Sequence, residues 1–206
     1  MLRMILRNRV AMASVCLAVF VAASAPPAAA DVIISNMPGN DGTGTMLNGD
    51  ASTVDNSKAA GFTMPAGSDY FLDNVTMRIE ILDAANSPVI QIWSDSGGLP
   101  SASLMTLTNP TFTIGGVATY VFTPPSQLTL QAGQTYWVLI YNDSAGSDSF
   151  EWYANSPAIT PTGIATSAGY RYSTGPPPPT GTSSYYNSYE VNGSLVPVEL
   201  MTFTVE

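Results

Sequence analysis

Histidine is absent from this sequence of 206 residues, and charged side chains make up only 10% of it. A globular domain usually carries about 25% charged residues. Without an imidazole, the chain lacks the base of a Ser–His or Cys–His catalytic pair, and it lacks histidine ligands for zinc. These absences exclude the commonest hydrolase mechanisms and the commonest zinc sites.

Basic residues and cysteine are also rare. Six Lys and Arg residues stand against 15 Asp and Glu residues, which gives a formal net charge of −9 at pH 7. Because a nucleic-acid-binding surface needs clustered positive charge, we expect no nucleic-acid partner. The single cysteine, Cys16, lies in an apolar N-terminal stretch. We therefore expect the rest of the chain to fold without disulfide bonds.

Serine, threonine, glycine and proline are the residues present in quantity. The sequence contains 22 Ser, 21 Thr, 17 Gly and 16 Pro residues. Threonine favours strands, and glycine, proline and serine favour turns, whereas all four are poor helix formers. The composition therefore predicts an all-β protein.

The first 30 residues have the organisation of an export signal. Three arginines precede an apolar segment at residues 10–23, and alanines occupy the −3 and −1 positions before Asp31. An uncleaved membrane anchor is the alternative, although the apolar segment is short for a bilayer of about 30 Å. We expect residues 1–30 to be a signal peptide, and the mature protein to be secreted or held at a cell surface without a membrane span. Its three cations against 15 acidic residues would give a side-chain charge of −12.

The mature chain divides into a short N-terminal part and one larger domain. Residues 31–57 predict a strand followed by a polar loop, since residues 36–57 are rich in Gly, Asn and Asp and show no apolar period. Over residues 58–206, short alternating segments are separated by turn residues, which is typical of a β-sandwich. Four consecutive prolines lack N–H donors, so residues 173–184 predict a surface loop that cannot pair in a sheet. We expect a single antiparallel β-sandwich domain of jelly-roll or immunoglobulin-like kind.

Two segments show the expected strands most clearly. Residues 75–81 alternate apolar and polar side chains, which directs Ile79 inwards and Arg78 towards solvent. Residues 134–142 are apolar on both faces, which predicts a central, covered strand with Trp137 in the core.

Five segments of the chain carry a family resemblance. They are AAGFT at 59–63, LDNVT at 72–76, IWSDSGGLP at 92–100, residues 104–110, and LTLQAGQTYWV at 128–138. Their order and spacing resemble the choice-of-anchor R domain of exported bacterial proteins, over about residues 55–195. The resemblance implies a β-sandwich that is carried to the envelope or exterior and attached by interchangeable C-terminal sorting signals. It implies no particular molecular function.

The C-terminal residues depart from that family pattern. A sorting signal of this kind would contain an apolar helix and a basic tail, and neither follows residue 195. The segment PVEL at 197–200 is similar to one near the ends of some sorted bacterial proteins. The alternative is that residues 198–205 form a closing strand, since their apolar side chains alternate.

A pair of glutamates is the strongest candidate for catalysis. Glycoside hydrolysis needs two carboxyl groups across a cleft, about 5 to 9.5 Å apart. Glu80 and Glu151 are the mature glutamates that fall on predicted strands in mid-domain. No spacing motif supports a catalytic pair, and glutamates on solvent-facing strands are common, so we predict that the protein is not an enzyme.

Two acidic, glycine-rich segments are candidates for calcium binding. Asp41, Asp50 and Asp55 offer the oxygen ligands that Ca²⁺ prefers, and the polar turn at residues 142–148 offers others. Neither segment matches a known calcium-loop pattern, and Asn, Asp and Gly are also ordinary turn residues. Calcium is therefore the one cofactor that the sequence suggests, and simple turn formation by these residues is the alternative.

Exposed aromatic side chains are the remaining candidates for ligand contact. Trp93, at a strand end, and Tyr153, which alternates with Trp152, are expected to be more exposed than Trp137. Flat rings with polar edges stack on sugars, although aromatic residues on strands more often pack within the sheet. We expect a structural or adhesive role at the bacterial surface or in extracellular matrix. The alternative is a carbohydrate-binding module, with or without calcium, and the expected partners are an extracellular polysaccharide or a surface protein.

Overall fold

The computed structural model describes residues 30–48, 56–83, 88–142 and 149–197. Within these ranges the chain forms thirteen β-strands. The described residues contain no helical segment with the length and hydrophobicity of a membrane span. In chain order the strands are β1 (Asp31–Ser35), β2 (Thr43–Asn48), β3 (Ser57–Thr63), β4 (Tyr70–Ile81), β5 (Pro88–Ser96), β6 (Leu99–Thr106), β7 (Val117–Phe122), β8 (Thr129–Leu130), β9 (Thr135–Asn142), β10 (Ser149–Ala154), β11 (Thr166–Ser173), β12 (Gly181–Thr182) and β13 (Tyr189–Leu195).

The strands form two antiparallel sheets. The seven-stranded sheet has the order β1-β13-β4-β10-β2, and β7 and β8 pair along the other edge of the long strand β4. The six-stranded sheet has the order β12-β11-β3-β9-β5-β6. Because each sheet has an apolar face, the two faces pack together and exclude water. The predicted all-β sandwich is confirmed.

The main core lies between the two sheets. On β4, the side chains of Val75, Met77, Ile79 and Ile81 are buried there, and the residues between them are half-buried on the opposite face. Ile92 of β5 reaches the same core from the six-stranded sheet. The two-residue alternation of the sequence therefore predicts these faces correctly.

Strand β9 is covered on both faces, as its sequence predicts. Val138 and Ile140 belong to the main core, whereas Trp137 lies on the outer face of the six-stranded sheet and is still 0% exposed. Gly61, its cross-strand neighbour, makes room for the indole, since a Cβ there would stand 2.7 Å from the ring. Trp137 is therefore buried as expected, but outside the main core. It belongs to an outer cluster of Ala59, Trp137 and Leu139, against which Trp93 and Tyr141 pack.

The N-terminal part contains more structure than its composition suggests. The expected first strand is β1, which pairs with β13. The prediction of an unbroken polar loop over 36–57 is wrong, because β2 lies within it and pairs with β10. Leu47 of β2 is buried opposite Phe150, so the strand is held by its apolar face. One buried residue among glycines and asparagines was too weak a periodic signal to reveal this edge strand.

The proline-rich segment is only partly a loop. Residues 173–184 were predicted not to pair, but Ser173 ends β11, and β12 pairs with Arg171 and Tyr172. The four prolines at 176–179 lie between these strands, so the chain forms its ladder on either side of them. The predicted signal peptide, apart from Ala30, and the predicted strand at 198–205 lie outside the described residues.

Candidate functional site

A pocket opens between the two sheets, beside the edge strands β2 and β12. We call it the open-edge pocket, and its volume is about 460 Å³. Its lining combines two phenol rings, several hydroxyl groups, an amide and one amine, contributed by Gly44, Thr45, Asn56, Lys58, Tyr172, Thr182, Ser183, Ser184 and Tyr185.

Strand alternation brings the floor of this pocket together. On β3, Lys58 shares the inward face with Ala60 and Phe62 of the main core. Tyr172 of β11 is the cross-strand neighbour of Lys58. Thr45 reaches the same space from β2, in the facing sheet, where it is the cross-strand neighbour of the buried Trp152.

Lys58 is the most unusual group in the pocket. It is 0% exposed, its Nζ donates a hydrogen bond to Thr45 Oγ1 (3.1 Å), and the ring centroid of Tyr185 lies 5.3 Å from Nζ. No carboxylate forms an ion pair with it among the described residues. Burial lowers the pKa of Lys58 to about 7, because the charged amine is poorly solvated between the sheets. The amine therefore changes charge near neutral pH.

The floor of the pocket is tied to the core by Asn187. Its side-chain amide donates to Thr45 Oγ1 (3.2 Å) and to the carbonyl oxygen of Trp152. Asn187 is fully buried, in the segment that precedes β13. Thr45 thus accepts hydrogen bonds from Lys58 and Asn187, which fixes its hydroxyl at the junction of the two sheets.

The chemistry of the open-edge pocket suits a polyhydroxylated ligand. The hydroxyl groups of Thr182, Ser183 and Ser184 both donate and accept hydrogen bonds, and the rings of Tyr172 and Tyr185 provide apolar faces. No group of three or more acidic or cysteine side chains that could hold a metal ion occurs in the described ranges.

Trp93 lies elsewhere, on the outer face of the six-stranded sheet. It is half-buried, it pairs with Trp137 across β5 and β9, and its Nε1 donates to Gln91 Oε1 (2.8 Å). Trp137 is covered more completely, since its Nε1 donates to Asp95 Oδ1 (2.8 Å) and the Arg171 guanidinium lies 5.5 Å from its ring. As expected, Trp93 is the more exposed of the two indoles.

Tyr153 lies on the outer face of the other sheet, with the glutamate pair. Glu80 and Glu151 are cross-strand neighbours on β4 and β10, and the Tyr153 hydroxyl donates to Glu80 Oε2 (2.8 Å). This hydrogen bond, with burial and the charge of Glu151, raises the pKa of Tyr153. The backbone N–H of Gly116 donates to the other oxygen of Glu80 (3.1 Å). The two carboxylates therefore lie on a sheet face, with Glu80 held by a phenol and a backbone amide.

The two predicted ligand contacts do not form one site. Trp93 belongs to the six-stranded sheet and Tyr153 to the seven-stranded sheet, and each lies on the face directed away from the main core. A single small ligand therefore cannot contact both, and neither residue lines the open-edge pocket.

Of the predicted calcium ligands Asp41, Asp50 and Asp55, the structure describes Asp41. Asp41 forms an ion pair with Arg78, whose Nε and Nη2 donate to its two carboxylate oxygens. A calcium ion at Asp41 would have to compete with this bidentate contact. Asp50 and Asp55, like most of the 142–148 turn, lie outside the described residues. Calcium binding stays a prediction.

Sequence reasoning missed the open-edge pocket. Lys58 is one of three cations beyond residue 30, and its charge alone does not mark it as buried. The spacing of Lys58, Ala60 and Phe62 does place it on the inward face of a short apolar strand. Tyr172 and Tyr185 carry no sequence signal that separates them from the other tyrosines of the chain. The strand pairing that brings β2 of one sheet close to β11 and β12 of the other cannot be read from the local sequence pattern.

Comparisons with known proteins add no relative. The chain matches no protein-family model, no curated protein and no solved structure. The resemblance to the choice-of-anchor R domain therefore stays a prediction, and the fold stands on the two sheets themselves. Any assignment of function has to start from the geometry of the open-edge pocket and of the two outer faces.

Proposed function

We propose that this chain is an exported bacterial domain that acts adhesively, without catalysis, at the cell surface or in extracellular matrix. The basic, apolar and alanine-rich order of residues 1–30 supports export. The β-sandwich supports a scaffold that presents ligand-contacting side chains at its edges and faces. N-terminal sequencing of the protein that the native host accumulates should begin at Asp31, and an N-terminus at Met1 would contradict export by cleavage.

The geometry favours carbohydrate as the material to which the domain adheres. The single observation that carries this proposal is the open-edge pocket, with two tyrosine rings and four serine or threonine side chains around a volume of about 460 Å³. That volume is within the range of small-molecule sites, and the lining matches the alternating apolar and hydroxyl surfaces of a sugar. The described pocket therefore fits one or two sugar units of a polysaccharide.

A non-catalytic role is consistent with where the glutamates lie. Glu80 and Glu151 are on the outer face of a sheet, and neither lines the open-edge pocket. Hydrolysis of a glycoside needs a carboxyl group on each side of the bound bond, which a flat face does not provide. The proposal is therefore binding rather than cleavage.

A glycan array tests this proposal most broadly. The purified protein is screened with and without calcium, together with the variants Tyr172→Ala, Trp93→Ala and Tyr153→Phe. We expect saccharide binding that Tyr172→Ala weakens about tenfold, the scale of one lost aromatic contact. Trp93→Ala and Tyr153→Phe, which leave the pocket intact, should bind like the parent.

The competing outcomes are distinct. Loss of binding in Trp93→Ala, but not in Tyr172→Ala, would move the site to the outer cluster and contradict the pocket. Binding that requires calcium would support the metal prediction for the acidic segments. Absence of binding to every glycan would overturn carbohydrate adhesion.

A further inference from the structure

Lys58 is the only lysine in the whole chain, and the described residues around it offer its amine one hydrogen-bond acceptor. A protonated amine has three donors. One goes to Thr45 Oγ1, and the Tyr185 ring covers another side of the group. Buried ammonium groups are normally paired with an acid, but none of the described residues that line the pocket is acidic. Among the described residues, the pocket thus holds a cation without a counter-charge.

We propose that the open-edge pocket binds the anionic group of an acidic saccharide, a carboxylate or a sulfate, with Lys58 as its charged partner. This inference rests on the proposed carbohydrate binding and narrows it to one ligand class. The hydroxyl side chains and tyrosine rings hold the sugar, and Lys58 selects its charge. The overall negative charge of the protein disfavours anions at long range, so selection depends on this one buried amine.

Tyr185 controls access to the amine. Lys58 is 0% exposed, whereas Tyr185 is 53% exposed and lies in the irregular segment between β12 and β13. Within the described residues the Tyr185 hydroxyl has no hydrogen-bond partner. The ring of Tyr185 contacts the Lys58 amine. A charge-assisted hydrogen bond from Nζ to an anion is stronger than a surface cation–π contact. An entering anionic group can therefore displace the ring.

The charge of Lys58 makes this binding dependent on pH. The lowered pKa of about 7 means that the free amine is largely charged at pH 6 and largely neutral at pH 9. If only the charged form binds, apparent affinity should fall about 100-fold between these values. The other titratable groups that line the pocket are the phenols of Tyr172 and Tyr185, and Glu151 on β10 lies against Gly44 at the rim.

The test compares matched saccharides by isothermal titration calorimetry. The probes are a galacturonic acid tetrasaccharide, its methyl ester, and a sulfated galactose tetrasaccharide. The methyl ester differs from the first probe only in charge and one methyl group per residue. We expect the protein to bind the acid at least tenfold more tightly than the ester at pH 6, and this difference in affinity should disappear by pH 9. Comparison of the acid with the sulfated probe shows whether a carboxylate or a sulfate fits better.

Two variants separate the roles of nearby groups. Lys58→Met should remove the preference for the acid and its pH dependence while keeping weak binding of the ester. Glu151→Gln should retain both, because the carboxylate lies outside the pocket. Thermal melts establish whether each variant folds. If Lys58→Met does not fold, the comparison of acid and ester on the parent protein still tests the preference for an anionic group.

The possible outcomes separate the role of Lys58 from carbohydrate binding itself. Equal binding of acid and ester at pH 6, or a preference that persists in Lys58→Met, would overturn the role of Lys58 but leave carbohydrate binding in place. Loss of the pH dependence in Glu151→Gln would assign it to Glu151 instead. Absence of binding by all three probes, with binding of other glycans on the array, would overturn the acidic ligand alone.

Discussion

Lys58 and Arg171 each place a cation near an aromatic ring, on opposite faces of the six-stranded sheet. The Lys58 amine lies 5.3 Å from the ring centroid of Tyr185, and the Arg171 guanidinium lies 5.5 Å from that of Trp137. Arg171 also donates to the carbonyl oxygen of Gly98 (2.9 Å) and to the Thr182 hydroxyl (3.3 Å). Within the described part of the chain, Lys58 makes one hydrogen bond, to Thr45.

This difference separates a structural cation from one that is available to a ligand. Arg171 lies at the surface, and its planar group of five donors reaches several acceptors at once. It closes over Trp137 and fixes the turn at Gly98. Lys58 is desolvated, and no described residue supplies a counter-charge to it, an arrangement that costs stability. Proteins commonly keep such costs at functional sites, which is the reason for placing function at Lys58.

The largest expected effect concerns the ring that Arg171 covers. Trp137→Ala should destabilise the fold by about 3 to 5 kcal/mol, because it empties the centre of the outer cluster. Trp93→Ala, on the same face but half-buried, should cost about 1 to 2 kcal/mol. Urea unfolding measures both, and equal losses would mean that the outer cluster has no buried centre.

The opposite sign is expected at Lys58. The unfolded chain keeps this amine protonated up to about pH 10.5, whereas the folded protein releases the proton above about pH 7. The unfolded state binds more protons between these values, so stability should rise with pH there, by at most about 1.4 kcal/mol per pH unit. Lys58→Met should stabilise the protein by about 2 kcal/mol at pH 7 and abolish that rise.

Urea melts between pH 6 and pH 9 check this prediction. The range stops at pH 9 because Tyr170 and Tyr189 are buried phenols with raised pKa values, which lower stability above about pH 10. Destabilisation by Lys58→Met, with no change in pH dependence, would show that the amine already has a strong partner.

A smaller loss is expected at Arg171. Arg171→Met should cost about 1 kcal/mol, since it removes an exposed cation–π contact and hydrogen bonds to Gly98 while keeping an apolar cover for Trp137. Thermal unfolding measures the loss. A gain in stability, like that expected for Lys58→Met, would erase the distinction between the two cations.

The smallest effect is expected on the other sheet. Tyr153→Phe removes one hydrogen bond to Glu80 at a solvent-facing position, so it should change stability by less than about 0.5 kcal/mol. Differential scanning calorimetry is sensitive enough to detect a larger loss. A cost above about 1.5 kcal/mol would mean that the glutamate pair depends on this phenol.

The sequence predicted the sandwich because its strongest signals are local. The alternation at residues 75–81 and the two-sided apolar run at 134–142 each define a strand and its faces without reference to the rest of the chain. Strand β2 was not predicted because Leu47 is the one buried residue among its described side chains, and an edge strand needs little apolar surface.

The candidate site could not be predicted in the same way. Thr45 and Lys58 are 13 residues apart in the sequence, whereas Tyr185 lies 127 residues beyond Lys58. The pairing of β2 with β10 and of β12 with β11 brings them together. Trp93 and Tyr153 looked equivalent as exposed aromatics, yet strand order places them on different sheets. Local sequence patterns indicate which face of a strand is buried, whereas a pocket between the edges of two sheets depends on the order in which the strands pair.

Titration of the single lysine by NMR tests the account most directly. Because Lys58 is the only lysine, protein labelled with ¹³C-lysine gives one side-chain Cε signal whose shift follows the charge of the amine. We expect the Lys58 amine to have a pKa of about 7 in the free protein, and a higher pKa in the presence of the galacturonic acid tetrasaccharide. An unperturbed value near 10.5 in the free protein would contradict a desolvated amine without a counter-charge, and with it the distinction between Lys58 and Arg171.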